Sequence, residues 1–223
     1  AAIEEGLAVH PHATRLKRRL MRLLLTRAQG QDREKALGLL TELERQQPQD
    51  PELLMIRATQ ILSEPSPTPE SLATAREKLE SIVKQEPTAV TAHLALIGMA
   101  MQQQQYQTAC DLAVRALSSN ANNPALLLAR ARAELMLGYP PIAAKLAQQT
   151  LQEDPNSAGA VDVFIRAALV GGDRSLLEQA RTLTESALRR SPGNEQMVLS
   201  RTMVLDALGL AKDAIPELEA YCQ

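Results

Sequence analysis

Two arginines separated by 34 residues, Arg132 and Arg166, have the best spacing in this chain to act together on a ligand. If the chain repeats with that period, they lie on adjacent repeats, about one helix-to-helix spacing apart. Two guanidinium groups so placed could bind a carboxylate or phosphate of a partner. Asp162 precedes Arg166 by about one helical turn, and it could instead hold these arginines in internal ion pairs.

Metal-ligating residues are few and scattered. His10 and His12 flank Pro11, but two ligands are too few to hold a metal ion, and no carboxylate or cysteine clusters beside them. The two cysteines, Cys110 and Cys222, lie far apart and have no metal-binding spacing. We therefore expect no metal, and we interpret the three histidines, His10, His12 and His93, as exposed residues near the starts of helices.

Signatures of catalysis are also missing from the sequence. The Gly171-Gly172-Asp173 segment predicts a turn between helices and lacks the Lys-Ser/Thr of a phosphate-binding loop. No Gly-x-Ser-x-Gly segment occurs, and no nucleophile–base pair can be assigned. The sequence predicts a non-catalytic protein without a cofactor.

The composition indicates an all-helical chain. Of its 223 residues 45 % are hydrophobic, mostly alanine and leucine, and only 2 % are aromatic. The net charge of −2 gives no general attraction to nucleic acid, which we do not expect as a partner. The sequence contains no run of 18 apolar residues, so no membrane-spanning helix is predicted. Both a cytoplasmic and a periplasmic location are compatible with two cysteines, and the ends of the sequence suggest a piece of a longer chain.

A repeat with a period near 34 residues organises the chain. Six alanines recur at separations of 39, 34, 34, 37 and 34 residues, and four of the first five are followed twelve residues later by proline. Such a period in a helical pattern predicts stacked helix pairs, and small residues allow helices to cross closely. The alanines are Ala36, Ala75, Ala109, Ala143, Ala180 and Ala214.

Capping residues, prolines and glycines divide the chain into six helix pairs. We predict a tail over residues 1–11 and one repeat domain over residues 12–223. The predicted helices span residues 12–29, 33–47, 51–63, 69–86, 88–103, 105–119, 124–137, 140–153, 157–170, 174–190, 194–208 and 211–222.

The repeats resemble those of the tetratricopeptide repeat family, in a divergent, bacterial-like form. The fourth repeat matches best, with Ala131, Ala143, Thr150 and Pro155 at family positions 8, 20, 27 and 32. The usual aromatic residues at positions 4 and 11 are absent, and arginines replace the leucine of position 7 in three repeats. The resemblance implies a right-handed superhelical solenoid of about six antiparallel helix pairs with a concave inner groove.

The resemblance also implies which residues line that groove. Several could pack between helices instead, but methionine and leucine there would suit an apolar helix or an extended peptide. The lysine and asparagine that clamp chaperone C-termini are replaced by methionine, leucine and threonine, so a chaperone tail is not expected. The predicted partner-binding residues are Met21, Leu25, Met55, Leu94, Met101, Leu128, Arg132, Asp162, Arg166 and Met203.

Three functions fit this sequence. The favoured one is a scaffold that binds a protein or peptide in the groove. The second is an accessory segment that positions a larger enzyme or an envelope secretion or assembly protein. The third uses the basic helix over residues 15–27, which could touch an anionic membrane or nucleic acid, or could simply be the solvated end of the array.

Overall fold

The computed structural model describes residues 13–27 and 30–221, and these residues contain twelve α-helices and no strand. Every helix lies within two residues of its predicted bounds, which confirms the all-helical prediction. The helices are α1 Thr14–Arg27, α2 Gln31–Gln46, α3 Pro51–Leu62, α4 Pro69–Gln85, α5 Val90–Gln102, α6 Tyr106–Ser119, α7 Pro124–Met136, α8 Pro140–Glu153, α9 Ala158–Gly171, α10 Arg174–Arg190, α11 Glu195–Ala207 and α12 Ala211–Tyr221.

Capping side chains begin the first helices of two pairs. The Asp50 carboxylate accepts hydrogen bonds from the backbone N–H groups of Glu52 and Leu53, at 3.0 and 3.2 Å. Asn123 plays the same part at the start of α7. In both helices proline occupies the first position, where its missing N–H has no consequence. Local sequence therefore fixes where the first helix of a pair begins.

The turn inside four of the pairs uses one left-handed residue at the same place in the repeat. Gly138, Gly172 and Gly209 have φ angles of +84°, +64° and +77°. The third pair has Gln104 there, at +57°. Glycine adopts the left-handed region freely, whereas a side chain makes this backbone conformation less favourable. The residue type therefore does not favour the left-handed conformation at Gln104.

The six recurrent alanines are all buried. Five of them are completely inaccessible to solvent, and Ala214 is 6 % exposed. A methyl group at these places leaves room for the neighbouring helix, as the repeat pattern predicts.

The chain divides into two compact units, Ala1–Ala92 and His93–Gln223. In the first unit, leucines of α1 and α2 surround Ala36 and Met21. In the second unit, α7, α8 and α9 supply most of one apolar core, in which Phe164 is the largest fully buried side chain. The predicted tail over residues 1–11 lies outside the described residues, and a single domain over residues 12–223 stays a prediction.

Glutamates explain the unusual arginines at family position 7. Arg57 of α3 contacts Glu44 of α2 with Nη2 and Oε2 2.7 Å apart, and Arg201 of α11 contacts Glu185 of α10 at 3.1 Å. Arg130 contacts Glu134 one turn along α7 at 3.3 Å. Two of the three arginines thus replace an apolar contact between consecutive helices by an ion pair.

The pair at Glu44 makes stability depend on pH. Burial alone would raise the pKa of Glu44, but hydrogen bonds from Arg57 and then Lys78 outweigh it and hold this pKa below its usual value. A lowered pKa in the folded state means that the contribution is fully present above the unfolded pKa of about 4.3 and is lost at lower pH.

We therefore expect Glu44→Gln to cost on the order of 1 kcal/mol at pH 7 and much less near pH 3. Urea unfolding of both proteins at several pH values measures this difference. Glu77→Gln, at an exposed position of α4, is the control and should change little at any pH. A cost at Glu44 that does not vary with pH would contradict the assignment.

Candidate functional site

The predicted groove residues of the second unit lie on the first helices of four successive pairs. We name the surface formed by α5, α7, α9 and α11 the A-helix face. Leu94, Met101, Leu128 and Asp162 on this face are partly buried. Arg132, Arg166 and Met203 are exposed to solvent, and Met203 keeps 58 % of its surface accessible.

Equivalent positions of these helices form an accessible row. Gly98 of α5, Arg132, Arg166 and Met203 occupy the same place in successive repeats, and all four are exposed. A Cβ atom on Gly98 would meet no atom within 4 Å, so the space above that glycine is open. The row combines two cations, one flexible apolar side chain and one open backbone position.

Arg132 and Leu128 pack against the backbone of the next repeat. A Cβ atom on Gly159 would lie 2.9 Å from both Arg132 Nη2 and Leu128 Cδ2, which is closer than real contacts allow. Glycine at this place in α9 therefore permits the approach of two side chains from α7. The ends of both side chains therefore lie close to the backbone of α9.

The two arginines differ in their ion pairing. Arg166 Nε lies 3.1 Å from Asp162 Oδ1 on the same helix, in a pair whose side chains are 63 and 40 % exposed. Exposed pairs at this spacing contribute only about 0.3–0.5 kcal/mol. Arg132 forms no ion pair with the residues that the structure describes. Asp162 thus pairs with only one of the two arginines, and the charge of Arg132 is available to bind a partner.

The predicted groove residues of the first unit have a different environment. Met21 is fully buried in the core of this unit, where it cannot contact a partner. Leu25 packs against the same core and is partly buried, as is Met55 of α3. The sequence places Met21 in the groove, but the structure makes it a core residue.

Carboxylates of neighbouring helices neutralise much of the basic helix α1. Arg18 lies 2.8 Å from Asp50 and 3.0 Å from Glu52. Arg22 also contacts Glu52, and Lys17 contacts Glu42. These pairs leave fewer cations for an anionic surface and favour the interpretation of α1 as a structural helix of its repeat. The side chain of Arg27 lies outside the described residues.

A buried polar cluster was not predicted from the sequence. The Cys110 thiol of α6 donates a hydrogen bond to Glu134 of α7 at 3.2 Å, and both side chains are buried. Burial, followed by the hydrogen bond to Glu134, raises the pKa of Cys110. A thiol with a raised pKa stays protonated and is a poor nucleophile. This cluster is therefore structural.

Other groups that could do chemistry are not gathered. His93 is buried in α5 rather than exposed near a helix start, which corrects the prediction from the sequence. Residues 13–27 and 30–221 contain no group of three metal-ligating side chains. None of the helices in that part of the chain is both long and apolar enough to span a membrane. His10, His12 and Cys222 lie outside it.

Comparisons with known proteins agree with this architecture. No protein-family model and no curated protein matches the chain. Among solved structures, YrrB, a TPR protein with an unusual peptide-binding site, is similar with a TM-score of 0.63 and 15 % identity, over 82 % of this chain and 90 % of YrrB.

Two further structures show the same likeness. PilW, a widely conserved type IV pilus biogenesis factor, has a TM-score of 0.68 and 16 % identity, over 92 % of this chain and 90 % of PilW. A tetratricopeptide repeat protein from Parabacteroides merdae has a TM-score of 0.69 and 14 % identity, over 92 % of this chain and 78 % of that protein. The chain therefore has the tetratricopeptide-repeat-like helical fold that its sequence predicts.

Proposed function

We propose that this chain is a protein-interaction scaffold that binds a peptide or a partner protein on the A-helix face. The observation that carries the proposal is the exposed row of Gly98, Arg132, Arg166 and Met203. Partly buried leucines flank this row, so a partner could bury apolar surface while the arginines set its position. The peptide-binding site of YrrB, a protein of the same fold, supports the proposal.

Arg132 gives the face a charge preference. Its guanidinium is positioned against Gly159 and lacks an ion-pair partner among the described residues. A carboxylate of the partner would neutralise it through a charge-assisted hydrogen bond, whereas a lysine would be repelled. Arg166 is available as well, because its exposed pair with Asp162 costs little to open. The preferred partner segment is therefore apolar with at least one acidic residue.

A charge reversal of both arginines tests the proposal. We expect Arg132→Glu with Arg166→Glu to reduce capture of the native partner at least about tenfold, because each charge-assisted hydrogen bond contributes about 1.5–3 kcal/mol. Affinity capture from the native host, with quantification by mass spectrometry, measures this loss. Leu128→Glu should remove the same partners, since it places a charge among the flanking leucines.

Charge-matched controls separate this surface from a general effect of charge. Arg115 and Lys145 are exposed on the second helices α6 and α8, so Arg115→Glu with Lys145→Glu makes the same change elsewhere. Circular dichroism should show that both double variants remain folded. Equal capture by the wild type and the Arg132/Arg166 variant would remove the proposal.

A second candidate function is an accessory role in an envelope assembly. It is favoured by the similarity to PilW, whose own role is in type IV pilus biogenesis. The capture experiment distinguishes the two candidates, because an assembly role requires components of one envelope complex to be recovered together. An unrelated single partner would favour the simple scaffold.

A further inference from the structure

A cleft between two second helices lies apart from the residues of the A-helix face. It has a volume of about 510 Å³ and lies between α8 and α10 of consecutive pairs, with Phe164 of α9 at its base. Leu151 and Leu183 provide its accessible apolar surface, and Phe164 lies fully buried beneath them. The cleft is open to solvent, so it suits one side chain of a larger segment better than an enclosed small ligand.

The polar groups of the cleft are all uncharged. They are the side chains of Gln148, Gln152, Gln179 and Thr182. Each glutamine amide carries two N–H donors and a carbonyl acceptor, so the rim can both donate and accept hydrogen bonds. A charged ligand would find no opposite charge among these residues. A ligand with neutral amide groups can both donate hydrogen bonds to these side chains and accept hydrogen bonds from them.

Much of this hydrogen-bonding capacity is unused. Gln148 Nε2 donates to Gln179 Oε1 at 2.6 Å and so links α8 to α10. Thr182 donates its hydroxyl to the Glu178 carbonyl at 3.1 Å, which leaves its oxygen able to accept. The side chain of Gln152 is exposed and makes no hydrogen bond with the described residues. An incoming amide can therefore pair with the rim without breaking the link between the helices.

We propose that this cleft binds an uncharged polypeptide segment, with one large apolar side chain of the segment against Leu151 and Leu183 and its backbone amides paired with the glutamines. A peptide backbone supplies neutral donors and acceptors beside each side chain, which is the chemistry that the rim offers. The apolar base supplies the affinity and the amides set the orientation. This binding is independent of the A-helix face, so the two proposals can fail separately.

N-acetylphenylalanine methylamide is a suitable probe, because it has one aromatic side chain between two neutral amides. We expect saturable NMR shift changes confined to the cleft, at Leu151, Thr182 and Leu183, with a roughly millimolar Kd. The alanine analogue should give no saturable change, since it lacks the apolar group. N-acetylphenylalanine, which carries a free carboxylate, should bind several-fold more weakly.

Two sets of variants test the position of the probe. Thr182→Trp fills the cleft from an exposed position and should abolish the shifts, whereas Thr108→Trp, on an exposed position of α6, should leave them unchanged. Gln148→Ala with Gln179→Ala should weaken binding of the probe several-fold. If the tryptophan variant does not fold, this double variant tests whether the probe binds in the cleft. Equal binding of the alanine or carboxylate analogue, or binding that survives in the cleft variants, would overturn the proposal.

Discussion

Replacing Phe164 by alanine is expected to lower the free energy of unfolding of the second unit by about 3–5 kcal/mol. Phe164 is the largest of the fully buried side chains, and it lies in the core formed by α7, α8 and α9. Its removal loses the transfer free energy of the ring and leaves a cavity between helices that cannot fully close. Urea unfolding followed by circular dichroism measures the loss.

Val170 provides the matched control on the same helix. It lies on α9 and is 69 % exposed, so Val170→Ala should change stability by no more than about 0.5 kcal/mol. A repeat protein can unfold in steps, so the transition of the second unit should be followed by a probe within that unit as well. A cost below about 1 kcal/mol for Phe164→Ala would show that the ring is not packed as described.

Enlarging Ala143 is expected to destabilise the same unit by about 1–3 kcal/mol. Ala143 is completely buried on α8, which packs against both α7 and α9. Leucine at this position adds apolar surface, which alone would stabilise the fold. The helices leave no room for it, so either neighbouring side chains leave their preferred rotamers or the helices separate. Thermal and urea unfolding of Ala143→Leu measure which effect dominates.

An exposed alanine separates crowding from helix propensity. Ala125→Leu makes the same chemical change in the first turn of α7, where the side chain faces solvent, and should be close to neutral. A neutral or stabilising effect at Ala143 itself would mean that the recurrent alanines do not mark close helix crossings. The repeat pattern would then lose its physical explanation.

The repeat pattern predicts the fold because each of its signals acts locally. Asp50 and Asn123 cap helices through their own neighbouring N–H groups, and a proline after each fixes the first turn. The recurrent alanines report on contacts between helices, but their constant spacing shows in the sequence itself. Bounds and pairing of the helices could therefore be predicted without coordinates.

The candidate site could be predicted only in part. Successive residues of a helix point about 100° apart, so an error of one position moves a side chain from an accessible face to the core. Of the predicted groove residues, Met21 is buried whereas Arg132 and Met203 are exposed, and partner binding by these two stays a prediction. The contact of Cys110 with Glu134 joins side chains of two helices, and no local signal marks it.

The pairing of Arg57 with Glu44 and of Arg201 with Glu185 has a consequence for engineering. Identical consensus modules can be reordered or duplicated, because every junction is chemically the same. Here each of these two junctions has its own ionic match, so a transplanted module would face an unmatched, half-buried charge. Reordering the repeats would therefore break the ion pair at each of these two junctions.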